Sequence, residues 1–385
     1  MPSYDAIIIG AGFAGAVAAR ELAERGSMRV LLLERRSHIA GNAYDRTDAS
    51  GILIHEYGPH IFHTNQKRVF DYLSRFTQWR NYQHRVVAKV HEHLMPVPFN
   101  LTSLRLAFGE EQGAKLEQKL LDAYGPEQKI GILELRQSSD PDLAMVADYI
   151  YEHVFLHYTM KQWGTSPEEI DPNTTARVPV FLSRDDRYFQ DQYQGMPLHG
   201  YTPLFERMLD HPNITLCLNT PAESRLRLTD DKMFLDGERF EGPVIYTGAL
   251  DELFSCQYGR LPYRTLDFQF ETLPQDTFQS HGTVNYTISE EYTRITEFKH
   301  LTGQTMPGIT TIVKEYSRAY DGASGTIPYY AVISPESRAC YEQYRLLSSR
   351  YSNFHPLGRL AEYQYYNMDA ITERALLLCD ELLAR

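Results

Sequence analysis

An α/β fold is predicted for this 385-residue chain by three features of its first 34 residues. Tyr4 to Ile9 and Arg29 to Leu33 are apolar runs of strand length. Gly10-Ala11-Gly12-Phe13-Ala14-Gly15 opens an Ala-rich helical run that reaches Arg25, and Glu34 stands at the end of the second strand. Strand, tight turn, helix and strand make a βαβ unit, whose right-handed crossover leaves the two strands parallel. Strands apolar at every position have no solvent face, so the sheet is expected to be covered on both sides.

The elements that follow change character along the chain. After Pro98 the pattern becomes helical, with GEEQGAKLEQKLLDAYG stopping at Gly125. A second helix starts where Asp140 can cap it and Pro141 can sit in the first turn without losing a needed hydrogen bond. Leu143, Val146, Ala147, Ile150 and Val154 form one apolar stripe along it. From Thr165 to Gly195 the chain is rich in Pro, Asp and Arg, an irregular region of the kind that lines sites in large enzymes. Thr202 and Pro203 begin a short helix, Ile214 to Leu218 is a strand, and MFLDGERFEG is a hairpin through Asp236-Gly237. Val244 to Thr247, ending in Gly248 and Ala249, is a buried strand that returns the chain to the first domain. Tyr263 to Val313 consists of short runs rich in Thr, Tyr, Phe and Ile, with turns at Pro274, Gly282 and Gly303, which predicts a separate antiparallel sheet. The last 40 residues turn helical after a loop at His355 to Gly358.

Composition narrows the function classes. Hydrophobic residues make up 43%, aromatic residues 12% and charged residues 23%, a globular balance far from that of disordered chains. With 38 Lys and Arg against 50 Asp and Glu the formal charge is -12. That disfavours a nucleic-acid or anionic-membrane surface, so an anionic ligand has to be held by particular arginines. Cys217, Cys256, Cys340 and Cys379 form no CxxC pair; neither a disulfide framework nor a zinc ribbon is suggested, and a reducing compartment fits. The start MPSYDAIIIGAG has no basic region followed by a cleavable apolar segment, and no stretch approaches roughly 18 apolar residues. Cytoplasmic residence without integral membrane association is the expectation.

The glycine turn carries the first chemistry. Gly10 permits a tight turn, Gly12 lets a pyrophosphate approach the backbone, and Gly15 lets the helix pack closely on the sheet, while the helix N-terminus offers amide donors. Glu34 is placed to accept hydrogen bonds from both ribose hydroxyls, and its charge argues against a 2'-phosphorylated nucleotide. FAD and NAD both fit this pattern. A fingerprint at the first residues, with its returning strand at Val244 to Thr247 more than 200 residues later, suits a flavoprotein interrupted by insertions.

A more specific signal lies in EYGPHIFHT at Glu56 to Thr64, YTMKQWG at Tyr158 to Gly164, ARVPVF at Ala176 to Phe181, DRYFQDQYQGMP at Asp186 to Pro197, YTRITEFKH at Tyr292 to His300 and GRLAEYQYYNMD at Gly358 to Asp369. In combination, order and separation these segments closely resemble the bacterial type of the UDP-galactopyranose mutase family. The resemblance implies a flavoenzyme that interconverts UDP-galactopyranose and UDP-galactofuranose on reduced FAD, through a sugar iminium at flavin N5 and with no net redox change. It implies an FAD-binding Rossmann-like domain over 1–80, 195–250 and 340–385, a mainly helical domain over 99–164, and an antiparallel sheet domain over 81–98, 165–194 and 251–339. A homodimer and an external flavin reductant are implied as well; nucleic acid is not.

The site residues follow from the same resemblance. Arg177 and Arg294 fall where the family grips the two phosphates, a task suited to the bidentate guanidinium fork, whereas Lys161 reads equally well as a solvent-facing residue. Phe155 falls where the family stacks on uracil, and Tyr158, Thr159 and Trp163 line the nucleotide side. Tyr188, Tyr329 and Tyr365 approach the phosphates as neutral donors, and Asn285 completes the substrate set. His60 and His63 lie beside the flavin ring. His63 is nearer the reactive edge, and it shares the catalytic assignment with Arg177 and Arg294. Gly10, Gly12, Phe13, Ala14, Gly15, Glu34, Asn42, Arg359, Asn367 and Met368 complete the cofactor set. Asn367 stands where some members carry aspartate, and Phe181 where an arginine can follow RVPV. The HxxH spacing of His60 and His63 lacks a matching carboxylate pair, so no metal is implied. An FAD-dependent amine oxidase-like oxidoreductase and a non-catalytic UDP-sugar-binding flavoprotein are the alternatives.

Overall fold

Alternation builds the first sheet. In the strand Ala6–Ile9 every residue is buried, yet Ala6 and Ile8 belong to one core and Ile7 and Ile9 to another, because successive side chains of a strand point to opposite faces. Val30–Leu33 divides in the same way. The computed structural model, which describes residues 4–164, 166, 179–229 and 231–384, extends this pair to five parallel strands. Their order is Ile214–Cys217, Val30–Leu33, Ala6–Ile9, Val244–Tyr246 and Phe354–Pro356. Helices Phe13–Glu24, Tyr201–Leu209 and Met368–Leu383 cover one face. The hairpin sheet at 226–240 and the helix Pro335–Ser348 cover the other.

Two expectations are corrected here. His355, expected in a loop, lies in the fifth strand; three residues ending in Pro show no period, and only pairing with Val244–Tyr246 makes them a strand. The helix expected from Thr202 begins at Tyr201, because the Asp45 carboxylate accepts from the backbone N–H of both Tyr201 at 2.5 Å and Thr202 at 2.8 Å. A distant acid thus satisfies amides that a local cap would otherwise take.

The helical region comprises Leu101–Phe108, Glu110–Tyr124, Pro141–Ile150 and His157–Trp163, with a short helix at Ile132–Leu135. Asn100 caps the first through Ser103 N–H at 2.9 Å, and Asp140 caps the third through Asp142 N–H at 2.8 Å. The apolar stripe from Leu143 to Val154 is buried. It does not run as one α-helix, however: Tyr151–Leu156 is a π-helical turn, and its wider winding lets Phe155 join Val154 in the core. The His153 carbonyl within this turn accepts from the Thr287 hydroxyl at 2.6 Å.

The third region is a seven-stranded sheet in the order Tyr330–Ala331, Tyr263–Leu273, Thr310–Ala319, Arg294–Glu297, Thr283–Tyr286, Val86–Val90 and His93–Val97. It is antiparallel except where Thr283–Tyr286 runs parallel to Val86–Val90. A smaller sheet, Phe62–Thr64, Tyr193–Pro197 and Trp79–Asn81, carries His63. Among the described residues no helix is long and apolar enough to cross a membrane.

Candidate functional site

The glycine turn is built by contact limits that differ at each glycine. Gly10 has φ +98°, and a β-carbon there would lie 2.1 Å from Thr247 Oγ1, so the turn closes against the end of the neighbouring strand. At Gly15 a β-carbon would lie 1.9 Å from the Gly10 carbonyl oxygen, which is the close helix-to-strand packing the sequence predicts. At Gly12 it would meet only Gly41 Cα, at 3.7 Å. Gly10, Gly12, Glu34, Arg36, Gly41 and Thr247 line a cavity of about 680 Å³. Glu34 is 5% exposed; one of its oxygens accepts from Ala11 N–H at 2.7 Å and the other from Arg36 N–H at 2.8 Å. The acid therefore ties the turn to the second strand, and each oxygen keeps a lone pair. Phe13 packs on Tyr201 and Phe205, so the side chain behind the turn is core.

Arg36 escaped the sequence reading although it stands two residues after Glu34. Its Nη2 donates to Asn42 Oδ1 at 3.0 Å and its guanidinium lies 4.6 Å from the Tyr57 ring centroid. Its Nη1 is buried without a partner among the described residues. A buried donor left unpaired carries a desolvation cost, which an anion in the adjoining cavity would relieve.

A second cavity, of about 490 Å³, includes Arg359 in its lining, next in sequence to Leu360, which lines the first. It gathers His60, His63, Tyr158, Tyr188, Asn285, Arg294, Tyr329, Arg359, Tyr365, Asn367 and Met368 from segments more than 300 residues apart. Three adjacent strands position its cationic centre, since Asn285 pairs with Arg294 and Arg294 with Glu315 in register. Arg294 Nε donates to Glu315 Oε1 at 2.7 Å, and Glu315 is 0% exposed. Burial works against the Arg294 charge, but Glu315, Tyr158 and Tyr330 together outweigh it and hold the guanidinium protonated. Among the described residues its Nη groups donate to no protein acceptor. Asn285 Oδ1 is buried beside it without a partner among the described residues, an acceptor suited to a ligand hydroxyl.

Burial raises the phenols of Tyr158 and Tyr329 above their ordinary range, so both are neutral donors. Tyr329 Oη donates to the Tyr57 carbonyl, and Arg359 lies 4.4 Å from the Tyr365 ring centroid while its Nε donates to Tyr366 O at 2.7 Å. Burial pushes His60 down to about 3, leaving a neutral imidazole whose Nδ1 meets Gly58 O at 2.9 Å. His84, which the sequence did not single out, also lines this cavity and is likewise pushed down to about 3 by burial. Asp191 and Phe189 line it too.

Arg177 is outside the described residues. Phe155, Thr159 and Trp163 line neither cavity; Phe155 packs in the helical core, and an aromatic at helical spacing carries no mark in the sequence to tell core from site. Lys161 does not face solvent. Its ammonium donates to the carbonyls of Tyr286, Glu290 and Tyr292 at 2.5, 2.8 and 3.2 Å, and Arg264 donates to the Lys161 and Gln162 carbonyls. Together they fasten the end of the helix that carries Tyr158 to the sheet. Phe181 is buried in a strand paired with Lys129–Ile130. Among the described residues no group of three His, Cys, Asp or Glu side chains is placed to hold a metal ion.

The parallel sheet and its glycine turn define a Rossmann-like nucleotide-binding α/β protein, and residues 8–76 match the model of the NAD(P)-binding Rossmann-like domain. Residues 153–365 match the model of the UDP-galactopyranose mutase family, and the chain belongs to that family. It is 36% identical over 387 residues to a Klebsiella pneumoniae protein named "Probable UDP-galactopyranose mutase", covering 100% of this chain and 96% of the relative. It is 33% identical over 372 residues to the dTDP-fucopyranose mutase of Escherichia coli, covering 96% of each. The crystal structure of a reduced UDP-galactopyranose mutase shares the fold, with a TM-score of 0.71 at 15% identity over 100% of this chain and 94% of that one.

Proposed function

We propose that this protein is an isomerase that interconverts UDP-galactopyranose and UDP-galactofuranose on reduced FAD, without net redox change. The observation that carries the reading is Arg294, whose Nη groups meet no acceptor among the described residues, in the same cavity as the orphaned Asn285 acceptor, with Arg359 of that cavity next in sequence to Leu360 of the glycine-turn cavity. FAD fits the residues present. The open face of Gly12, the remaining lone pairs of Glu34 and the unpaired Nη1 of Arg36 suit its adenosine diphosphate half; Arg359, Asn367, Met368, His60 and His63 would hold its ring end. When bound and reduced, FAD supplies an electron-rich ring nitrogen as the nucleophile for a sugar whose ring opens and recloses.

The chain's own residues supply orientation and charge. Arg294, with Arg177, holds the diphosphate as negative charge grows on it. Tyr158 offers it a phenol that burial keeps neutral, Tyr188, Tyr329 and Tyr365 line the same cavity, and Asn285 accepts from a sugar hydroxyl. The reading also includes the division into an FAD-binding domain, a helical domain and a sheet domain at the boundaries expected above, together with a homodimer and an external reductant in the cytoplasm.

The reading is tested by incubating dithionite-reduced protein with UDP-galactofuranose and, separately, with dTDP-fucopyranose, and separating the nucleotide hexoses. UDP-galactopyranose is the expected product. Turnover of the dTDP-sugar alone, an oxidised sugar formed with oxygen consumption, or binding without turnover would each overturn it.

A further inference from the structure

We propose that Asp191 is the positioning residue that fixes the His63 imidazole as its Nδ1–H tautomer, so that Nε2 is the atom His63 offers to the cavity. The inference rests on the functional reading above only for its consequence in turnover; the pairing itself stands on geometry. His63 Nδ1 lies 3.0 Å from Asp191 Oδ2, with the two side chains 12% and 22% exposed. A carboxylate can only accept, so the nitrogen it touches has to carry the proton. The hydrogen bond from His63 holds the Asp191 carboxyl below its usual range against the opposing effect of burial, and the group is a carboxylate.

The other carboxylate oxygen and the backbone around it are held as well. Asn65 Nδ2 donates to its other oxygen at 3.0 Å, while Asn65 Oδ1 accepts from Gln192 N–H at 2.9 Å. Gln194, directly opposite His63 in the antiparallel pair, donates to the Asp191 backbone carbonyl at 2.8 Å and to that of Phe189 at 3.1 Å. Phe189 stacks on the imidazole at 3.6 Å between centroids and 13° between planes. Stack and hydrogen bond together leave the ring one orientation: turned over, it would present carbon to Asp191 and forfeit the charge-assisted bond. Orienting a functional histidine through its second nitrogen is a recurrent use of a carboxylate, because the wrong tautomer withholds the lone pair or proton that the reaction needs.

The test is a long-range proton–nitrogen NMR spectrum of the full chain labelled with 15N-histidine, at a pH above the imidazole titration range, with the His63 signal assigned by its loss in His63→Asn. The wild-type spectrum is expected to show a protonated Nδ1 and a bare Nε2. Asp191→Asn is expected to lose that preference, and Asp191→Glu to restore it in part. In the mutase assay Asp191→Asn is expected to lower kcat about 10- to 100-fold while KM changes little. A wild-type ring protonated at Nε2, or an unchanged tautomer in Asp191→Asn, would overturn the proposal. Should Asp191→Asn fail to fold, the wild-type spectrum still decides. A wild-type Nδ1–H signal in a protein without mutase activity would keep the pairing and overturn the functional reading; an Nε2–H signal with full activity would do the reverse.

Discussion

Arg294→Ala is expected to lower turnover about 100- to 1000-fold while the protein keeps its flavin, because a preorganised donor is lost where leaving-group charge develops. Stability should fall as well. Glu315 is 0% exposed, its Oε2 already lacks a partner among the described residues, and Arg294 is its counter-charge at 2.7 Å. Removing one member of such a pair costs about 3–5 kcal/mol. The two effects separate in the double variant Arg294→Ala/Glu315→Gln, which removes the stranded charge: denaturation should recover most of the lost stability and the assay none of the lost turnover. Arg294→Lys keeps a charge without the fork and should fall between. Near-normal kcat/KM in Arg294→Ala would take this residue out of the site.

The glycine turn gives the second large effect, and it divides by position. Gly15→Ala places a methyl carbon 1.9 Å from the Gly10 carbonyl and 3.1 Å from Ile8 Cγ2, where backbone has to move and the helix Phe13–Glu24 is pushed off its sheet. A loss of about 1–3 kcal/mol or more in chemical denaturation is expected. Gly12→Ala should behave in the opposite way. Its backbone, at φ -80° and ψ -172°, suits any residue, and its nearest neighbour is 3.7 Å away, so stability should stay within about 0.5 kcal/mol. The methyl instead enters the space proposed for the pyrophosphate, and flavin retention after gel filtration should be lost. Full flavin content in Gly12→Ala, or parental stability in Gly15→Ala, would contradict this account of the turn.

The sequence made legible what is local. Gly10, Gly12, Gly15 and Glu34 announce a turn and its acid within one βαβ unit, and the cap at Asp140 with its apolar stripe announces a helix, because those signals lie within a few residues of the structure they specify. Long-range register is not written that way. Asp191 is 128 residues from His63, and Arg294 meets Glu315 only because two strands pair with that offset, so neither partner could be named before the sheets were known. The π-turn at Tyr151–Leu156 hides inside an ordinary apolar stripe, and Lys161 looks like any surface lysine until three carbonyls converge on it. The resemblance found Arg294 and the tyrosines by their neighbours in sequence; burial and strand register explain how they come to share one cavity.

The central claim is that this cavity isomerises a nucleotide sugar on a reduced flavin without consuming the reducing equivalents. One preparation should be assayed with UDP-galactofuranose as oxidised protein, again after dithionite reduction, and again after reoxidation in air, with reductant consumption followed throughout. The account predicts turnover that appears on reduction, disappears on reoxidation, and forms many molecules of UDP-galactopyranose per reducing equivalent supplied. Equal turnover in the oxidised protein, or one reducing equivalent consumed for each product molecule, would contradict it.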